Sequence, residues 1–143
     1  MAEVQKSVLV GYAARRMFDL VDRIEDYPGF LPWCGGTRVA HLDEHRSHAT
    51  VMIDYHHVKT SFTTENTRQV PELIEMTLVD GPFQHLDGHW RFIPLAEDAC
   101  KVEFRLHYEF SHKVLEKVVA PVFHVIANSF VDAFVRRAEQ IYG

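Results

Sequence analysis

The feature that most constrains the fold of this chain is a long helical pattern over residues 112–142, close to the end of its 143 residues. A helix of this length spans about 46 Å, whereas a ten-residue strand spans about 33 Å. Its apolar side chains form a stripe too broad for a flat sheet to cover. They are Val114, Val118, Val122 and Ile126 in one row, Leu115, Val119 and Phe123 in a second, and Phe130, Phe134, Ala138 and Ile141 beyond them.

Local signals mark the ends and the middle of this helix. Ser111 is the expected N-cap. Arg136 and Arg137 lie near the C-terminal end, where the helix dipole favours positive charge. Pro121 has no backbone N–H to donate to Lys117, which predicts a kink between these two residues. A bent helix lies along a curved sheet better than a straight one.

Three segments before the helix alternate between apolar and polar residues, as strands with one solvated face do. They are ATVMIDY at 49–55, LIEMTLV at 73–79 and KVEFRLHYEF at 101–110. Turn residues at 43–47, 70–71, 80–82 and 94–99 predict an antiparallel meander. A further reversal is expected near His57-Val58, although no Gly, Pro or Asn stands there.

The opening of the chain predicts a strand over residues 3–11 and an amphipathic helix over 14–24. Ala13 and Ala14 offer no capping oxygen to this helix, and Arg15-Arg16 place positive charge at its positive end. We interpret this as a frayed helix end, with a contact to an anion or a partner as the alternative.

These elements predict an α+β fold of the helix-grip type. In such a fold a curved antiparallel sheet wraps around the long C-terminal helix, two short helices follow the first strand, and a cavity tends to remain between sheet and helix. The chain is long enough to bury its own core, so we expect residues 1–143 to form a single domain.

Charge and cysteine content narrow the partners and the compartment. The net charge of −5 argues against DNA as a partner, because binding to phosphates usually requires a basic surplus. Cys34 and Cys100 are far apart in a chain without a signal peptide, which indicates reduced thiols and a cytoplasmic location. We find no stretch near the roughly 20 apolar residues of a membrane span, so any membrane contact would be peripheral, at the inner face.

Few residues indicate catalysis or metal binding. His85, Asp87 and His89 share one side of a strand, where they are a solvated row or, alternatively, a zinc or acid–base site. The apolar surroundings of Cys34 would raise the pKa of its thiol, and His124 is an exposed histidine or a polar contact for a ligand carbonyl. Because nucleophile, phosphate-loop and metal motifs are absent from the sequence, we expect a protein that is not an enzyme and has no catalytic residue, metal or catalytic cofactor.

The aromatic residues carry the remaining functional signal. Several stand on two segments rich in proline and glycine, YPGFLPWC at 27–34 and the segment after Asp80-Gly81-Pro82. Cavity walls are commonly built on such segments, although plain core packing is the alternative for each residue. The candidate ligand-binding residues are Tyr27, Phe30, Leu31, Trp33, Phe62, Phe83, Leu86, Trp90, Phe123, Phe130 and Phe134.

The sequence resembles the RatA/coenzyme Q-binding protein family of the START-like, polyketide cyclase/dehydrase superfamily. The resemblance covers essentially the whole chain and rests on YPGFLPWC, FTTEN at 62–66, LVDGPFQHLDGHWRFIPL at 78–95, CKVEFRLHYEF at 100–110 and the ending FVDAFVRRAEQIYG. It implies a helix-grip domain with a hydrophobic tunnel. Members of the mitochondrial branch bind ubiquinone and support respiratory electron transfer, and the bacterial branch includes a ribosome association toxin that blocks the joining of ribosomal subunits.

Three functions therefore stand as hypotheses. The first is the binding and chaperoning of ubiquinone or a related isoprenoid quinone or lipid, held as a ligand and not as a catalytic cofactor. The second is the inhibition of ribosomal subunit joining, through a surface that includes Arg15-Arg16 and Arg136-Arg137. The third is an enzyme that acts on an aromatic polyketide or a lipid.

Overall fold

A computed structural model of the protein describes residues 2–143. These described residues form seven strands, two α-helices and a short 3-10 helix. In order they are β1 (Ala2–Val10), α1 (Ala14–Asp22), the 3-10 helix (Ile24–Gly29), β2 (Cys34–His41), β3 (Arg46–Tyr55), β4 (Val58–Gln69), β5 (Leu73–Asp80), β6 (Phe83–Ala96), β7 (Ala99–Phe110) and α2 (Lys113–Tyr142).

All seven strands belong to one antiparallel sheet with the order β1-β7-β6-β5-β4-β3-β2. Strands β2 to β7 form a meander, and β1 returns to pair with the last strand, Val4 opposite Leu106. The sheet curves around α2, whose buried residues include Phe123, Ile126 and Phe134. The predicted helix-grip fold is therefore confirmed.

The start of α2 differs from the prediction. The helix begins at Lys113 with His112 at the N-cap position and no capping side chain, so the expectation that Ser111 caps it is wrong. The Ser111 hydroxyl instead donates a hydrogen bond to the carbonyl oxygen of Pro82, 3.2 Å away, and ties the helix start to the β5–β6 turn. The helix continues through Pro121.

Only part of the first apolar row of α2 is buried in the core. Val114 and Val118 are 74% and 59% exposed, whereas Ile126 is buried. Val119, next to Val118, is buried, so Val114 and Val118 lie on a face of these turns that the sheet does not cover. Contrary to our expectation, α2 is long and apolar enough to cross a membrane, by length and composition only. A helix that closes a protein core meets the same criterion.

Two local features agree with the predictions from the sequence, one at the start of α1 and one at the turn between β3 and β4. Ala13 provides no side-chain cap to α1, and Arg15 pairs within the helix with Asp19 at 3.2 Å. The reversal between β3 and β4 occurs at His56-His57, and His56 itself adopts a positive φ of 54°, the conformation that glycine usually supplies.

Candidate ligand-binding site

A cavity lies between the concave face of the sheet and α2, and we call it the sheet–helix cavity. Its free volume is about 60 Å³. The wall is almost wholly apolar and comes from α1, the 3-10 helix, β3 to β7 and α2. The residues that line it are Val21, Asp22, Ile24, Tyr27, Ala49, Val51, Phe62, Thr64, Asn66, Ile74, Met76, Leu86, Trp90, Phe104, Leu106, Phe123, Phe130 and Phe134.

Seven of the eleven candidate residues line this cavity. Strand alternation brings Phe62, Leu86 and Trp90 to the concave face, because each stands in phase with the buried residues of its strand. Helical spacing brings the α2 residues to the facing side. The seven are Tyr27, Phe62, Leu86, Trp90, Phe123, Phe130 and Phe134.

The other four candidates lie elsewhere, which corrects our expectation that the YPGFLPWC segment walls the cavity as a whole. Phe30, Leu31 and Trp33 line a separate depression of about 270 Å³ against the outer side of α2, which we call the outer cleft. Phe83 is buried behind the cavity wall, where its ring lies 4.9 Å from that of Phe110. The two prolines turn the chain after Tyr27, so only that residue of the segment points into the cavity.

Aromatic contacts hold the cavity wall together. The Trp90 ring is tilted against that of Phe104, with centroids 4.5 Å apart, and meets that of Phe134 edge-to-face at 5.3 Å. The Tyr27 hydroxyl donates to the carbonyl oxygen of Val21 at 2.5 Å, and burial raises the pKa of this phenol far above its ordinary value. Tyr27 is thus a neutral residue of the cavity wall whose hydroxyl proton is already used in a hydrogen bond.

One end of the cavity is polar. Thr64 and Asn66 are each 5% exposed and sit on the inward face of β4. Beyond them an ion pair joins α1 to β4, with Arg68 Nη1 2.6 Å from Asp22 Oδ2. Burial raises the pKa of the Asp22 carboxyl, and the charge of Arg68 opposes this shift only in part. The cavity therefore combines a long apolar wall with a small hydrogen-bonding end.

Sequence reasoning missed this polar end. Thr64 and Asn66 lie within FTTEN, which we used only as a sign of resemblance. Their positions two and four residues after Phe62 place all three on one face of a strand, and this spacing was the available signal. The partnership of Asp22 with Arg68, 46 residues later, had no such signal.

The remaining candidates for chemistry lie outside the cavity. His85 and Asp87 are about half exposed on the convex face and pair with each other. His124 is exposed and does not line the cavity. Its Nδ1 atom shares a hydrogen bond of 3.1 Å with the Tyr108 hydroxyl. Within residues 2–143 no three His, Cys, Asp or Glu side chains are grouped to hold a metal ion. Burial raises the thiol pKa of Cys34 and of Cys100, which disfavours both as nucleophiles.

The sequence of this chain matches one protein family and several named proteins. The family described as "Polyketide cyclase / dehydrase and lipid transport" matches residues 10–135. The chain is 43% identical to the ribosome association toxin RatA of Vibrio cholerae over 143 residues, which cover 100% of this chain and 99% of that protein. It is 26% identical to the mitochondrial coenzyme Q-binding protein COQ10 homolog B of Xenopus laevis over 145 residues, which cover 99% of this chain and 59% of that protein.

A solved structure supports the same fold. The aromatase/cyclase Zhui of Streptomyces sp. R1128 superposes with a TM-score of 0.81 at 14% identity, over 99% of this chain and 96% of that one. At this level of identity the similarity concerns the fold.

Proposed function

The chain belongs to the polyketide cyclase/dehydrase and lipid transport family, and we propose that it binds an isoprenoid quinone such as ubiquinone between its sheet and α2. In this proposal it is a lipid-binding chaperone that supports respiration, located in the cytoplasm with peripheral contact to the membrane. The observation that carries the proposal is the apolar, aromatic-lined sheet–helix cavity with one polar end. A relative named as a coenzyme Q-binding protein supports the choice of ligand.

The size of the cavity sets a condition on binding. Its 60 Å³ is under half of the about 150 Å³ that admits a benzene ring in a protein core. The wall must therefore open by about 90 Å³ for a quinone ring, at a cost of about 2 kcal/mol at 24 cal/mol per Å³. Burying one isoprene unit of five carbons contributes about 4 kcal/mol gross, which offsets that cost. Phe62 and Phe130 are half-buried wall residues and are the rings best placed to move.

We propose binding without catalysis because the wall offers little acid–base chemistry. Asp22 is the one ionisable side chain of the wall besides the Tyr27 phenol, and Arg68 already holds its carboxylate. Relatives named as a toxin and as a quinone-binding protein support the same choice.

The test is the quinone content of the protein itself. The chain is expressed in and purified from a quinone-producing bacterium, extracted with organic solvent, and the extract is quantified by mass spectrometry. We expect quinone in a substantial fraction of the chains, and less in the cavity-filling variant Ala49→Val. A folded protein that carries no quinone, and that takes up none from detergent micelles, would refute the proposal.

A second function, association with the ribosome, is favoured by one surface observation and by the RatA relative. The guanidinium of Arg137 covers the ring of Phe30 at 5.0 Å, and that of Arg16 covers Tyr142 at 4.8 Å. Phe30, Arg137 and Tyr142 line one surface hollow together with Arg23, Asp19 and Asp26, and Arg16 lies beside it over the Tyr142 ring. Arginine stacked on aromatic rings is suited to contacts with nucleic acid.

Ribosome profiles on sucrose gradients test this second function. Overexpression of the wild type is expected to raise free subunits at the expense of assembled ribosomes, and Arg16→Glu with Arg137→Glu is expected to abolish the change. Arg91→Glu is the matched control, because Arg91 is exposed on β6 away from the hollow. Unchanged profiles with the wild type would exclude the function.

A further inference from the structure

The buried polar or charged residues within residues 2–143 are Ser47, Thr64 and Asn66, and they lie together on β3 and β4 at the polar end of the cavity wall. Ser47 of β3 is the cross-strand partner of Asn66 in β4, and Thr64 and Asn66 both line the cavity. Burying polar groups is unfavourable unless they are hydrogen-bonded. Their clustering at one place in an otherwise apolar wall therefore requires a reason.

The hydrogen bonding of this cluster is incomplete. Thr64 Oγ1 donates to Asn66 Oδ1 at 2.7 Å, which is the one side-chain hydrogen bond of Asn66 in the described chain. This contact occupies the amide oxygen and turns the NH₂ group, with its two donors, to the other side. No completely enclosed side-chain nitrogen or oxygen of the described residues lacks a partner. The Asn66 nitrogen has no such partner, so it is not fully enclosed, and the residue lines the cavity.

We infer that Asn66, held in orientation by Thr64, is the donor that binds a carbonyl oxygen of a ring-shaped apolar ligand. This inference rests on the proposed quinone binding and adds a specificity-determining residue to it. A ligand carbonyl at this end gives the amide N–H groups the acceptor that the protein does not supply. The apolar ring then lies against the aromatic wall, and the substituents extend along the cavity.

The inference separates two roles for Asn66. Because Asn66 accepts a hydrogen bond from the buried Thr64 hydroxyl, the two roles are separated with the double variant Thr64→Val/Asn66→Leu, which leaves neither partner unpaired. If the pair serves the fold, this variant has a lower melting temperature. If it serves a ligand, the variant removes an incompletely paired buried amide, so the melting temperature stays equal or rises. Loss of binding together with retained stability is the expected signature of a residue kept for a ligand.

Two probes with the same carbon skeleton provide the experiment. Tetramethyl-1,4-benzoquinone has two carbonyl groups and no free ring position for thiol addition, and 1,2,4,5-tetramethylbenzene carries the same four methyl groups on an aromatic ring with C–H groups in place of the carbonyls. Dissociation constants are measured from the NMR shift of the Trp90 indole N–H, since Trp90 lines the cavity. Trp33, the other tryptophan, lines the outer cleft with its ring 5.3 Å from that of Phe130, so its indole signal reports movement of that side of the cavity wall.

Asn66→Leu is expected to bind the quinone about tenfold more weakly and the hydrocarbon within about twofold of the wild type. Thr64→Val is expected to give a smaller loss for the quinone alone. Thr63→Val is the matched control, because Thr63 shares a hydroxyl contact of 2.7 Å with Thr50 on the other face of the same strands. It is expected to leave both dissociation constants unchanged.

The outcomes distinguish this inference from the proposed function. Quinone binding that is equal in the wild type and in Asn66→Leu, or an equal loss for both probes, overturns the role of Asn66 and leaves quinone binding intact. A wild type that binds neither probe overturns both. A melting temperature of Thr64→Val/Asn66→Leu below that of the wild type assigns the pair to the fold and overturns the inference.

Discussion

Filling the sheet–helix cavity with a slightly larger side chain should stabilise the protein and weaken ligand binding at the same time. Ala49 is 2% exposed, lies on β3 and lines the cavity. Ala49→Val adds two carbons there and introduces a β-branched side chain, which suits a strand. The substitution leaves the backbone hydrogen bonds of β3 to β2 and β4 in place.

The expected magnitude follows from the cavity volume. An empty space of about 60 Å³ costs the fold about 1.4 kcal/mol at 24 cal/mol per Å³. Valine recovers most of this, and imperfect packing removes part of the gain, so we expect a net stabilisation of about 1 kcal/mol. For a chain of this length that is a rise of about 3–5 °C in melting temperature. The same two carbons occupy the space that a ligand ring needs, so quinone affinity should fall at least about tenfold.

The assay is thermal unfolding followed by circular dichroism, together with titration of tetramethyl-1,4-benzoquinone. Ala127→Val is the matched control, because Ala127 is also fully buried but lies on α2 outside the cavity lining. There the added carbons meet a filled core, and overpacking should cost about 1–3 kcal/mol. If Ala49→Val destabilises the protein as much as Ala127→Val does, the cavity is not an open space and the reasoning fails.

Three further predictions concern charge, backbone approach and thiols. A raised pKa of Asp22 favours folding at low pH, and this contribution is lost as pH rises through the raised value. The free energy of unfolding of the wild type and of Asp22→Asn is measured with urea from roughly pH 4 to 7. The value for the wild type minus that for Asp22→Asn should fall as pH rises, and a constant or growing difference contradicts this prediction. A methyl group at Gly88 would lie 2.5 Å from the carbonyl oxygen of Arg105, so Gly88→Ala should cost about 2 kcal/mol or more, and a near-unchanged melting temperature argues against this. Cys34 and Cys100 are buried with raised thiol pKa values, so a chromogenic disulfide reagent should modify them only as fast as the chain unfolds, and immediate labelling would disagree.

Local periodicity explains why most of the fold could be predicted. The alternation of Val102 to Phe110 and the spacing of Phe123, Phe130 and Phe134 report directly which face is buried, and the structure places these faces as expected. The prediction failed at Ser111 and at Val114 and Val118. Whether a hydroxyl caps a helix depends on a competing acceptor, here the Pro82 carbonyl, that is distant along the chain.

The candidate site could be predicted only in part for a related reason. Strand and helix phase placed Phe62, Trp90 and Phe134 correctly on the inner side. Phe30, Leu31 and Trp33 sit in irregular backbone, where no period determines the direction of a side chain, and they line the outer cleft instead. Thr64 and Asn66 were identified as site residues only from the structure, which places their polar side chains in an otherwise apolar wall.

The sequence by itself determined the elements, their inward faces and the family, because helical and strand periods are properties of neighbouring residues. Tertiary structure alone decided the size of the cavity and the composition of its polar end. These depend on side chains that meet across long separations, such as Asp22 with Arg68 and the ring of Phe62 with that of Phe123. The volume of a cavity is the small difference between the large volume enclosed by the packed elements and the volume of the side chains that fill it. No local sequence pattern predicts this difference.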